Sequence, residues 1–98
     1  MSRSKTMTQV QLQNLYLEIQ TEINEAAARE FGGKLTERAT RHLQQVGGNW
    51  EERFEYLEAR QNQSRSWKIA FQMYCAMVEI IKMKKLDEVT IIESEQAS

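Results

Sequence analysis

The chain has no proline, one cysteine (Cys75), one histidine (His42), one aspartate (Asp87) and four glycines. Each scarcity excludes something. Without proline, no helix interior loses an N–H donor or meets a ring clash, so helix ends must be set by other residues. A lone cysteine excludes an intrachain disulfide and suits a reducing compartment. His42 and Cys75 fall on different predicted helices, and no third group is placed to orient them, so a Cys–His dyad is not expected. Glu22 and Glu25 share a helix face, but the Glu-x-x-His pairs that build metal sites in bundles are absent. Neither Gly-Gly pair belongs to a phosphate-cradling loop. We therefore expect no catalytic residue, cofactor, metal ligand or small-molecule substrate, and no enzymatic activity. The longest apolar stretch is too short to span a bilayer and contains Glu79. The segment MSRSKTMTQ lacks the apolar core of a secretory signal. A cytoplasmic or nucleoplasmic location follows as the expectation, and Asn62-Gln63-Ser64 is not read as a glycosylation site. A net charge of −1 provides no global attraction for nucleic acid or an anionic membrane.

What remains is helical. Ninety-eight residues with 41% hydrophobic content fit one domain with a small core. All four glycines form two pairs, Gly32-Gly33 and Gly47-Gly48, which read as helix stops. A first helix is predicted from after Thr8, its N-cap, to near Phe31. Its apolar stripe is Leu12, Leu15, Tyr16, Ile19, Ile23, Ala26, Ala27 and Phe31. A short second helix, about Leu35 to Val46, carries Leu35, Ala39, Leu43 and Val46. A third opens at Asn49, with Glu52 completing a capping box, and presents Trp50, Phe54 and Leu57. The pattern fails over residues 61–66. The helix either breaks there, with Ser64 or Ser66 capping the next one, or runs on straight; we favour the break. The last helix covers about Ser66 to Leu86. The expected architecture is all-α: a small antiparallel bundle of four helices, or three with a long bent C-terminal helix. It forms a single domain over residues 1–98 with flexible ends at 1–7 and 88–98. Val89 to Ile92 is β-branched and reads as frayed or as a short extended segment.

Between Ile69 and Ile81 only Gln72 and Glu79 are polar. At 100° per residue they fall on one narrow line, and roughly 200° of the cylinder is apolar. Such a helix needs cover on several sides. One source is the chain itself, with Trp67, Ala70, Phe71, Met73, Tyr74, Met77, Val78, Ile80 and Ile81 as core. The other is a partner. The stripes of helices two and three are too short to cover a last helix of about 30 Å, so a protein partner or a second copy is expected to complete the burial. The candidate interface is Trp50, Phe54, Trp67, Phe71, Tyr74, Met77, Val78 and Ile81.

The basic residues form a second candidate site. Lys34, Arg38 and Arg41 share one face of helix two, and Arg60, Arg65 and Lys68 cluster around the break. They are either solvated faces or contacts to a phosphate backbone, which need regular positive charge and no base-reading groups. Sequence-specific reading through a helix-turn-helix is rejected, because its recognition helix would carry Glu51, Glu52, Glu55 and Glu58 against phosphates. In size and helix content alone, the chain is similar to the small helical subunits of CRISPR effector complexes. That resemblance implies contact with nucleic-acid backbone inside a larger ribonucleoprotein. Three roles are open: a non-catalytic interaction subunit or adaptor docking on a protein or on itself, such a ribonucleoprotein subunit, and a phage-type inhibitor protein.

Overall fold

The computed structural model describes residues 6–92, and within them the protein is predominantly helical. In chain order the elements are β1 (Thr6–Thr8), α1 (Gln9–Phe31), α2 (Gly33–Gln45), α3 (Trp50–Arg60), α4 (Arg65–Met83), a 3₁₀ turn (Leu86–Glu88) and β2 (Thr90–Ile92).

Local chemistry sets each helix end. The Thr8 hydroxyl accepts from the Gln11 N–H at 3.1 Å, and the Gln11 side chain accepts from the Thr8 N–H at 3.0 Å. This reciprocal cap satisfies two donors that the first turn of α1 would otherwise leave open. At the other end, Gly32 adopts φ 95° and ψ 154°, a conformation largely restricted to glycine. Its N–H donates to the Ala28 carbonyl at 3.0 Å, closing α1. Its own carbonyl accepts from the Thr36 N–H at 3.2 Å and the Thr36 hydroxyl at 2.9 Å, opening α2. One residue thus ends one helix and starts the next. Asn49 and Glu52 cap α3 by the same exchange as Thr8 and Gln11, at 2.8 and 2.9 Å. Gly48 (φ 99°) precedes this cap, and a Cβ there would lie 2.6 Å from the Glu52 carboxylate. The chain breaks over Gln61–Gln63, and the Ser64 hydroxyl then accepts from the Trp67 N–H at 3.3 Å to start α4.

Helix α4 is central. It packs on α1, α2 and α3, and α1 also packs on α2, while α1 and α3 scarcely meet. The inward line of α4 runs through Ser66, Ile69, Ala70, Met73, Tyr74 and Ile81. One core cluster joins Ala27, Ala39, Leu57 and Ile69 to Ala70, Met73 and Tyr74. Thr36 and Ala39, buried on α2, are small enough to bring that helix close. A second cluster unites Ile19, Ile81 and Leu86. Helix α3 runs antiparallel to α4, with Trp50 beside Tyr74, Phe54 beside Phe71 and Tyr56 beside Trp67.

The ends expected to be flexible, 1–7 and 88–98, fall only partly on residues that the structure describes. Residues 1–5 and 93–98 lie outside the described residues. Among the described residues, β1 and β2 form a parallel two-stranded ribbon, Thr6 opposite Thr90 and Thr8 opposite Ile92. The extended reading of the β-branched tail therefore holds, and the all-α class carries this small addition. No helix among the described residues is long and apolar enough to cross a membrane.

Candidate functional site

The eight expected interface residues divide by burial. Tyr74 and Ile81 are 5% and 4% exposed, covered for the most part by their own chain. Trp67, Phe71, Met77 and Val78 are half-buried. Trp50 and Phe54 stand out at 48% and 39% exposed. The chain itself therefore supplies much of the cover that α4 needs, through three helices acting together. Val10 and Leu17, seven residues apart on α1, are also exposed, as expected of positions outside its apolar stripe.

Trp50 and Phe54 belong to a groove, while Tyr56, 43% exposed, lies outside it. Because α1 and α3 do not close over α4, a depression of about 750 Å³ opens beside the C-terminal half of α4. Tyr74, Val78 and Ile81 line it from α4, Trp50 and Phe54 from α3, and Tyr16 from α1. The Tyr74 hydroxyl donates to the Trp50 carbonyl at 2.9 Å and ties the α3 wall to α4. Burial raises the Tyr74 pKa, so the phenol stays protonated and keeps donating. A second depression of about 400 Å³ shares Tyr16, Trp50, Tyr74 and Ile81 with the groove. Charged side chains rim the groove: Glu51, Glu55 and Glu58 from α3, Lys82 from α4 and Asp87 beyond it.

The basic residues occupy another region. Lys34, Arg38, Arg41, Arg65 and Lys68 are exposed, and Arg41 pairs with Glu37 at 3.5 Å. Arg60 differs from these five. Its guanidinium lies 4.0 Å from the centre of the Tyr56 ring and 5.7 Å from that of Trp67. Its Nε is buried without a hydrogen-bond partner. Arg60 therefore covers aromatic surface, a use open to its planar, weakly hydrated head.

Next to it, His42 stacks on Trp67 with ring centres 3.8 Å apart and an interplanar angle of 9°. Its Nε2 lies 3.0 Å from the Ser66 hydroxyl, which is itself 3.0 Å from the Ser64 hydroxyl. No periodic signal in the sequence links residues 42 and 66. A histidine beside a hydroxyl is half of a nucleophile–base arrangement. Here Ser66 is 6% exposed, and no carboxylate orients His42 among the described residues. Burial, then the nearby Arg38 charge, holds the His42 pKa below its usual value. The group works as a polar joint between α2 and the start of α4.

Cys75 is half-buried. Burial, with the negative charges of Glu58 and Glu79, pushes its thiol pKa up and away from the reactive thiolate. His42 and Cys75 are not hydrogen-bonded to each other. No group of three metal-ligating side chains occurs among the described residues. No protein-family model, curated protein or solved structure matches the chain.

Proposed function

We propose that this protein is a non-catalytic docking subunit that engages a protein partner through the groove between α3 and α4. The observation that carries this reading is the pair of exposed aromatics, Trp50 and Phe54, beside a groove with an apolar floor. Large aromatics on a firm backbone make effective interface anchors. Here the Asn49–Glu52 cap and the Tyr74–Trp50 bond hold the backbone beneath them. The anchors then lose little freedom on binding.

The reading is tested by placing a photoreactive phenylalanine analogue at position 54, and separately at 34, in the chain expressed in its native host. Position 54 should yield a discrete protein adduct, and position 34 should not. Phe54→Asp should remove the same complex in native mass spectrometry while far-UV circular dichroism stays helical. Equal labelling from both positions, or survival of the complex in Phe54→Asp, would refute the reading.

A second reading rests on the five exposed cations, of which only Arg41 is ion-paired among the described residues. Contact with a phosphate backbone would use them as point charges. It would gain little base stacking, because His42 covers a face of Trp67 and Arg60 lies over Tyr56. Filter binding decides. Weak, sequence-independent affinity that falls steeply with salt and is lost in Arg38→Glu/Arg65→Glu supports it. No retention at low salt removes it.

A further inference from the structure

The charge on the groove specifies its occupant further. On α3, Glu51, Glu55 and Glu58 are spaced i, i+4, i+7, and all three are exposed. None forms an ion pair among the described residues. Like charges at these spacings weaken a helix by a few tenths of a kcal/mol per pair. The helix dipole compensates only in the first turn, where Glu51 lies. Glu55 and Glu58 repel without local compensation, beside apolar side chains that water covers poorly. Asp87 extends the acidic rim, and Lys82 is its one cation.

We infer that the groove takes a basic amphipathic helix from another protein, with apolar side chains in the cleft and lysines or arginines against Glu51, Glu55, Glu58 and Asp87. The inference rests on the docking reading and adds the chemistry of the partner. Size agrees. From Tyr74 to Lys82 the floor extends about 12 Å, two turns of helix. An entering helix would therefore present anchors at i, i+3 or i+4, and i+7, the usual pattern for helix-in-groove binding. A second copy of this chain fits less well. The exposed cations of α2 sit on a helix whose apolar side, with Ala39 and Leu43, is packed in its own core. That helix cannot offer basic and apolar faces together.

The test is selection from a displayed library of helical peptides with leucine or phenylalanine at i, i+4 and i+7 and a lysine–glutamate mixture elsewhere. The bait is the full chain. Lysine-rich peptides should be enriched and should bind about tenfold tighter than their glutamate counterparts at low salt, with the difference shrinking as salt rises. Glu51→Lys/Glu55→Lys/Glu58→Lys should reverse that preference, and Phe54→Ser should weaken binding of either charge type. Circular dichroism would verify that both variants remain helical. Enrichment without charge bias, with binding still lost in Phe54→Ser, overturns the inference but leaves the docking reading standing. No enrichment at all overturns both. Sedimentation that reveals dimers broken by the triple reversal would assign the groove to a second copy and also overturn the inference.

Discussion

His42 shows how much one side chain can couple. It stacks on Trp67, meets Ser66 and lies near Arg38, and burial lowers its pKa. The unfolded chain therefore binds a proton at a pH where the folded one does not. The stability this histidine supports is present above the unfolded value of about 6.5 and is lost as pH falls toward the folded value. Thermal melts should show the midpoint dropping as the pH is lowered from about 7 to 5, and His42→Gln should flatten that slope. Cys75 behaves in the opposite chemical sense. Its raised pKa should make alkylation at neutral pH slower than for free cysteine, and Glu58→Gln should speed it by removing a negative charge. The proximity of Glu79, one turn along the same helix, was legible in the sequence, but that of Glu58 was not. Glu58 reaches the thiol only because α3 folds back on α4. Arg60 lies over Tyr56 one turn back on its own helix, a spacing the sequence carries, but its approach to Trp67 depends on that same reversal.

At the scale of the helix, the decisive contacts are short-range, which is why the ends were legible. Thr8, Asn49 and Ser64 each act through a side-chain oxygen on a backbone N–H three residues on. Such caps need no tertiary contact. The Gly-Gly pairs were read as equivalent stops, and the backbone separates their members. Gly32 has a conformation hostile to a Cβ, while Gly33 has an ordinary one with open space around it. Gly32→Ala should destabilise by about 1–3 kcal/mol. Gly33→Ala should stabilise by about 0.4–1 kcal/mol by restricting the unfolded chain. Urea titration of the two variants gives the comparison directly, with midpoints moving in opposite directions. The α4 pattern was legible in one sense only. The two polar residues between Ile69 and Ile81, Gln72 and Glu79, do face water, but periodicity could not reveal which other element would meet each remaining side. The groove arises from the separation of α1 and α3, a matter of how the helices pack on α4 that no single helix encodes.

Across the whole molecule, the least legible feature is the ribbon. The β-branched tail offers an extended reading, but Thr6–Thr8 is too brief to announce a strand, and the pairing of the two is non-local. Residues 6 and 90 become neighbours only after nearly the full chain has been ordered between them. Closing so large a loop costs entropy that three residue pairs repay weakly, and contacts of high sequence separation form late. The helical hairpins should therefore assemble first and the ribbon zip last. Under native conditions it should also be the first part to open, without unfolding the helices. Hydrogen exchange should find the backbone amides of β1 and β2 the fastest among the bonded ones, with those of α4 near Ile69 and Met73 the slowest. Because the Leu86 turn and β2 follow α4 directly, a latch at the chain ends borders the groove wall formed by Leu86 and Asp87. Unlatching would loosen one end of the cleft while the opposite wall, fixed by Tyr74 and Trp50, stays put.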